Sequence, residues 1–253
     1  MIAPAAPRRF AALVVALGNL CFRYRDYLAP VAIALVVLAS APHPFLRRRA
    51  LDPWWDAAGL TVSVAGQTLR VLVIGLAYIK RGGRSKRIAA DRLVVDGVFA
   101  HARHPLYVGN FLLLVGLMMI WNSPLGYAVA ALLGFGLFSM ACAEEAFLHA
   151  RFESEYEAYS ARVPRFIPRL RGLRATLSRF SFDWKRVVRK EYGTTFSWTT
   201  TAVALFALER IRWDGLRAAT SELCVLTAIW LVVTLLWMTA RWLKRTRRLL
   251  SPD

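Results

Sequence analysis

Acid and cysteine are what this chain has little of. Among 253 residues only 16 are Asp or Glu, against 34 Lys or Arg, and only three are cysteine. Cys21, Cys142 and Cys224 stand far apart and fit no metal-ligand spacing, so they read as small buried apolar residues. The four histidines have no HExxH or CxxC partner, which removes support for a zinc site and leaves no metal to expect. No small-x-small cleavage site precedes Arg23, Arg25 and Asp26, so the start reads as a retained, membrane-associated segment rather than a signal peptide. Neither an internal repeat nor a low-complexity tract organises the chain.

What is present is apolar and basic. A hydrophobic share of 57% and a mean hydropathy of +0.41 exclude disorder, and the length suits one domain with an appendage. A net charge of +18 and a pI near 10.9 invite a nucleic-acid partner, because Lys and Arg neutralise phosphates. The long uncharged runs argue against it. A polytopic membrane protein needs both those runs and basic flanks that meet acidic head groups, so an all-α integral membrane protein with no nucleic-acid partner is expected.

The apolar runs cover residues 10–22, 27–41, 54–79, 106–121, 125–143, 194–208 and 223–242. Several are short for a bilayer core, which predicts about five or six transmembrane helices, some tilted or interfacial. Residues 80–103, 151–190 and 241–248 hold seven, eleven and five basic residues, 23 of the 34. The positive-inside rule places all three segments in the cytoplasm. Runs 106–121 and 125–143 then form a hairpin whose far turn, Asn122-Ser123-Pro124, is uncharged and non-cytoplasmic. Arg47, Arg48 and Arg49 conflict with this if 54–79 is a single span, unless the first segment is re-entrant. Residues 171–192 read as a basic interfacial helix or linker carrying Phe180, Phe182, Trp184 and Tyr192. Trp121, Trp198 and Trp242 suit the interfacial aromatic belt, and Gly134 and Gly136 suit close helix packing. Three parts follow: membrane helices over 1–80, a core over 81–170, and a basic linker with a helical pair over 171–253, through which the chain can oligomerise.

Two polar features stand where a membrane protein least tolerates them. The first is Arg103-His104-Pro105-Leu106-Tyr107-Val108-Gly109-Asn110. Pro105 suits the first turn of a helix, so the free N–H groups and positive dipole end there, with Arg103 beside them, make an anion site. Taken alone, Arg103 and His104 also fit simple snorkelling to the interface. The second is Glu144-Glu145, closing the run 125–143. Ionised carboxylates near hydrocarbon cost roughly 2–3 kcal/mol each even on lenient insertion scales, which makes them functional candidates. Reflecting the hairpin about Ser123 sets Arg103 and His104 level with this pair. Adjacent glutamates point about 100° apart, so one faces a ligand while the other pairs with a neighbouring base. A carboxylate site, an acid and an apolar acceptor side together suit S-adenosylmethionine beside a lipid substrate. Lesser candidates are Gln67 and Arg70 facing a cavity, His149 pairing with Glu145, and Tyr156, Tyr159 and Arg165 closing as a lid.

With Leu93, Val94, Asp96, Gly97, Val98 and Phe99 before these features, and Leu148, Phe152, Glu155, Tyr156, Tyr159 and 163–168 (VPRFIP) after them, the chain resembles the isoprenylcysteine carboxyl methyltransferase and phospholipid methyltransferase superfamily. The resemblance covers about a third of the chain, residues 84–168. It implies a small polytopic enzyme that binds S-adenosylmethionine at a cytoplasm-facing pocket and takes a lipidic or prenylated acceptor from the bilayer. Leu93, Val94, Phe99, His104, Pro105, Leu106, Tyr107 and Glu144 would hold the cofactor. Arg103 and Glu145 are the expected catalytic residues, Glu145 as base for an amine acceptor.

Two departures accompany the resemblance. The eukaryotic prenylcysteine enzymes place an Arg one turn before the first glutamate, where this chain has Met140, and relatives often have Gly where it has Glu153. Two other readings remain at this stage. One is an NADPH-dependent sterol or enone reductase, whose similar element carries Asn after the Pro and Glu after the Gly, positions held here by Leu106 and Asn110. The other is a non-enzymatic membrane scaffold, which predicts no nucleotide-like cofactor.

Overall fold

The computed structural model describes residues 5–76, 88–178, 181–246 and 248–249, and among the described residues the structure is helical with no strand. Residues 80–87 of the first basic segment, Phe180 and Arg247 lie outside the described residues.

The first helix, α1 (Ala5–Ala39), is continuous over 35 residues, about 52 Å of rise. It joins the runs 10–22 and 27–41, so the re-entrant first segment is not found. The charged junction stays helical because Arg23 and Arg25 lie over the rings of Tyr24 and Phe22, at 5.7 and 4.2 Å from their centroids. The loop after α1 folds beside the far turn, where Asn122 Nδ2 donates to the His43 carbonyl at 2.6 Å. Arg47, Arg48 and Arg49 therefore do share an end with Asn122. At that end Arg49 is paired with Asp214 at 3.0 Å.

Helix α2 (Asp52–Leu76) and helix α3 (Pro105–Trp121) pack along a glycine seam. A Cβ on Gly66 would stand 2.7 Å from the Gly109 carbonyl oxygen, and one on Gly109 would stand 2.9 Å from the Gly66 oxygen. Backbones approach this closely only where both residues are small. Sequence reading had picked Gly134 and Gly136 for that role. Gly134 does admit a close neighbour, the Phe111 ring of α3, 2.7 Å from where its Cβ would stand, while a Cβ on Gly136 would meet Cys21 Sγ at an ordinary 3.5 Å.

Helix α4 (Pro124–Arg162) follows the tight turn that Asn122 makes in the left-handed region (φ 42). Ser123 caps it, its hydroxyl accepting the Gly126 N–H at 3.0 Å. Trp121, expected in an interfacial belt, is 0% exposed, and its indole N–H donates to Ser40 Oγ at 3.0 Å. The ring lies in the core with Val36, Met118 and Ile120. Trp198 is half-buried and donates to Gln67 at 3.0 Å, while Trp242 is exposed. Helix α4 breaks at Glu153 (φ 40, ψ −114), and its last turns fold back over the end of α3 that begins at Pro105.

A short helix, α5 (Leu173–Leu177), precedes α6 (Trp184–Ala218). Of the two expectations for this stretch, helix or linker, basic residues 185–190 follow the first: they are the opening turns of a 35-residue helix that Asp183 caps by accepting the Arg186 N–H at 2.8 Å. Ala202 and Leu205 of α6 join the core beside Leu117 and Ile120. Helix α7 (Thr220–Arg245) has no buried residue and returns along α6.

Among the described residues three helical stretches are long and apolar enough to cross a membrane: Arg49–Leu76, Pro124–Arg162 and Thr220–Arg245. Pro105–Trp121 is a shorter apolar helix. Helices α1 and α6 run beside them but carry Arg23, Arg25 and Asp26, and Glu191, Glu209 and Arg210. This is an all-α membrane protein.

Two outcomes follow from the backbone. A Cβ at Gly116 would overlap Ser63 Oγ and the Gly59 carbonyl, so Gly116→Ala should destabilise by about 1–3 kcal/mol, read as a lower thermal midpoint in detergent. Replacing Glu153 by Gly should act in the opposite sense. It relieves a positive φ worth of order 1 kcal/mol, and the midpoint should rise by a few degrees.

Candidate functional site

Pro105 occupies the first turn of α3 and His104 stands at its N-cap, where no side chain caps the helix. The chain reaches that position under constraint from the VPRFIP segment. The N–H groups of Arg103 and His104 donate to the carbonyls of Pro164 and Arg165, both at 2.9 Å, and Arg169 N–H donates to the His101 carbonyl at 3.0 Å. A strand-like clasp of three backbone bonds thus fixes the mouth of α3.

Glu144 and Glu145 divide as the 100° offset requires. Glu145 is buried and engaged on both oxygens. Arg165 grips it in a fork, Nε to Oε1 at 2.9 Å and an Nη to Oε2 at 2.7 Å; Arg103 lies at 3.1 Å and His104 Nε2 at 3.1 Å. Such forked, charge-assisted contacts are the strong ones. Glu144 takes the Tyr107 hydroxyl at 2.6 Å and has His104 Nδ1 at 3.4 Å. His104 therefore bridges the two carboxylates. Burial alone would depress its pKa, but the two glutamates outweigh burial and hold it above the ordinary 6.5.

A cavity of about 1230 Å³ opens beside this cluster. Arg103, His104, Pro105, Leu106 and Tyr107 line it from α3, Leu93, Val94 and Phe99 from the preceding loop, and Glu144 from α4. Glu145 is not among the lining residues, because its oxygens turn away toward Arg165. The cavity continues between helices past Leu113, Leu117, Leu133 and Met140, an apolar stretch, and α6 contributes Thr194 and Trp198. Arg103 Nε is buried with no partner. Tyr156 and Tyr159 line the same cavity, Tyr159 donating to the Phe99 carbonyl at 2.8 Å.

The lesser candidates separate. Arg70 lines the cavity, but its guanidinium is locked on buried Glu191 by two 2.8 Å contacts and also meets Asn110. Gln67 joins the same network, and Arg165 is the clamp on Glu145 just described. His149 is exposed and pairs with Glu157 at 2.9 Å rather than with Glu145. Sequence reading missed Glu191, because nothing in the sequence ties a basic-rich stretch to α2. It also missed a buried cluster of Asp52, Asp56 and Glu209; the four-residue spacing of the two aspartates was the available signal.

The family model for phospholipid methyltransferase matches residues 58–155. The cobalt-zinc-cadmium resistance protein CzcN of Cupriavidus metallidurans is 35% identical over 170 residues, 65% of this chain and 73% of that protein. The nickel-cobalt-cadmium resistance protein NccN of Alcaligenes xylosoxydans xylosoxydans is 34% identical over 119 residues, 47% of this chain and 54% of that one. Protein-S-isoprenylcysteine O-methyltransferase of Rattus norvegicus is 32% identical over 128 residues, 49% of this chain and 45% of the enzyme. No solved structure matches the chain. The chain belongs to the phospholipid methyltransferase and isoprenylcysteine methyltransferase superfamily. It spans about half the length of NccN and of the rat enzyme.

The His104 bridge has a pH signature. Its folded pKa is raised, so its contribution is complete below the ordinary histidine value and is lost as pH rises through the raised one. Thermal midpoints followed from pH 6 upward should fall on the alkaline side of the ordinary histidine value, and His104→Gln should flatten that fall. A midpoint that instead falls on acidification through the histidine range would contradict the bridge.

Proposed function

We propose that the chain is an S-adenosylmethionine-dependent methyltransferase acting on a lipidic or otherwise apolar acceptor drawn from the membrane. The observation that carries this reading is the cavity itself, charged at the mouth of α3 and mostly apolar where it runs between the helices, with Arg25, Asp26, Arg70 and Asn110 as the polar residues of that stretch. A donor with charged ends and an acceptor with a hydrocarbon body each find matching walls there.

The residues present fit the cofactor. The uncapped first turn of α3 and the unpartnered Nε of Arg103 would hold a carboxylate, and Glu144, facing the cavity, would hold a cationic centre. Leu93, Val94, Phe99, Leu106 and Tyr107 would enclose the rest. S-adenosylmethionine would supply a methyl group already bonded to a positively charged sulfur. The protein's part is then to orient the two reactants and exclude water, which can provide several kcal/mol without a covalent nucleophile. Glu145 acts here as a positioning residue: it holds Arg103 and His104 in place through the Arg165 fork. Where the acceptor must lose a proton, Glu144 is the carboxylate of the pair that faces the cavity. Met140 lines the cavity in place of an arginine and provides no carboxylate anchor at that position, which favours acceptors other than a free prenylcysteine carboxylate.

The mouth of α3 is assigned to the cytoplasmic side. Basic residues 162–174 and 241–246 gather at that end, and three of the arginines at the other end are engaged. Arg49 and Arg210 are ion-paired, and Arg212 donates to the Val37 and Ser40 carbonyls.

Titrating the purified chain with S-adenosylmethionine should raise its thermal midpoint, with NADPH giving no shift. Glu144→Ala should weaken cofactor binding by about 10-fold or more while the protein stays folded, measured by calorimetry. Methyl-labelled cofactor incubated with membranes should place label in the lipid extract, read by mass spectrometry. Stabilisation by NADPH alone would overturn the proposal.

A further inference from the structure

Three carboxylates meet at the end of the bundle opposite the mouth of α3. Asp52 and Asp56 stand one turn apart on α2, and Glu209 reaches them from α6, with carboxylate oxygens of the three all within 4.8 Å of one another. Their exposures are 2%, 5% and 0%. Burying like charges together is strongly unfavourable unless something positive enters.

Among the described residues no Lys or Arg side chain bonds the oxygens concerned, and Arg210 acts on Asp56 and Glu209 only at longer range. One oxygen of Asp52, one of Asp56 and both of Glu209 are buried without a hydrogen-bond partner. Glu209 is the independent sign: it comes from a different helix, is wholly enclosed, and turns a carboxylate that no cation or N–H donor bonds onto the aspartate pair. Three of the arginines nearest the cluster are engaged elsewhere. Arg210 pairs with Glu222 at 3.0 Å, Arg49 with Asp214 at 3.0 Å, and Arg212 caps the end of α1 through the Val37 and Ser40 carbonyls.

We infer that Asp52, Asp56 and Glu209 form a binding site for one divalent cation, separate from the methyl-transfer cavity. The donors on offer are carboxylate oxygens, with no histidine or cysteine among them, which suits hard cations such as Mg²⁺, Mn²⁺ or Ca²⁺. Water completes the coordination of such ions readily. The bound ion ties the start of α2 to α6. It also reaches the loop after α1, because the other oxygen of Asp52 accepts the Phe45 N–H at 2.8 Å. None of the three residues lines the cavity, so the ion's role is to fasten the far end of the helical bundle.

The test uses the full chain in detergent, stripped with EDTA, dialysed and titrated with Mn²⁺ at about pH 8, well above the ordinary carboxylate range. Loss of the free Mn²⁺ paramagnetic signal should report one bound ion per chain. The thermal midpoint should rise by about 5 °C or more once Mn²⁺ exceeds its dissociation constant roughly 100-fold. Glu209→Gln should weaken binding by at least the roughly 10–100-fold that loss of an outer-shell partner costs. Should that variant fail to fold, Asp56→Asn and the wild-type titration decide the matter between them. No Mn²⁺ uptake by folded wild type into the millimolar range, or unchanged affinity in a folded variant, would overturn the site.

Discussion

One carboxylate, that of Glu145, holds three positively charged or protonatable side chains at once. Arg103 arrives from the mouth of α3, His104 from its N-cap, and Arg165 from the segment beyond α4. Without that shared acid the three would face one another in a partly buried place and repel. With it, the first turn of α3, the middle of α4 and the VPRFIP segment become one unit. The backbone clasp between residues 103–104 and 164–165 follows from the same convergence. Glu144 is then free to face the cavity, because its neighbour already satisfies the local positive charge.

The rest of the bundle serves that convergence. The glycine seam lets α2 approach α3 closely enough for the Arg70 stem to pass over Gly109 and reach Glu191 on α6. That buried pair, with Gln67 and Asn110 beside it, anchors the N-terminal part of α6 against the cavity wall. Because Arg70 is neutralised there, it contributes shape and a polar edge rather than free charge. The cavity thus changes character along its length. Its mouth is governed by ion pairs between loops and helix ends, and its interior by aliphatic side chains from four helices. Helix α7 stands outside this arrangement, with no buried residue of its own, and its exposed apolar face suits lipid contact.

The hairpin was legible in the sequence because it depends on local signals. Pro105 and Pro124 mark helix starts, Asn122-Ser123 marks the turn, and helical rise alone then sets Arg103 opposite Glu145. The glycines at 59, 66, 109 and 116 were not picked out, since a small residue in an apolar run looks alike whether it faces a helix, a ring or lipid. Trp121 was read as interfacial for a related reason: its position at a helix end fits the aromatic belt, and only the fold brings Ser40 to its indole N–H. The place of α6 was the least legible. Its first turns carry the composition of a membrane-surface linker, and the partner that draws Glu191 inward, Arg70, lies more than a hundred residues earlier.

Charge explains why such a basic chain keeps its few acids where it does. Of 16 acidic residues, Glu144 and Glu145 sit at one end of the bundle, Glu191 part way along it, and Asp52, Asp56 and Glu209 at the other end, all but Glu144 buried. A membrane protein with this composition can leave arginines at its surface to meet head groups, but each buried arginine needs an acid. Glu191 answers Arg70, and Glu145 answers Arg103 and Arg165. The two exceptions to that pairing are therefore the informative places. Glu144 is held by neutral Tyr107 and shared His104, leaving it able to face a cationic ligand. The cluster at the far end holds three acids with no arginine bonded to them among the described residues, which is why a cation from outside the chain suits it. The same scarcity of acid that first marked the sequence makes both departures stand out, one at the cavity and one at the opposite end of the helices.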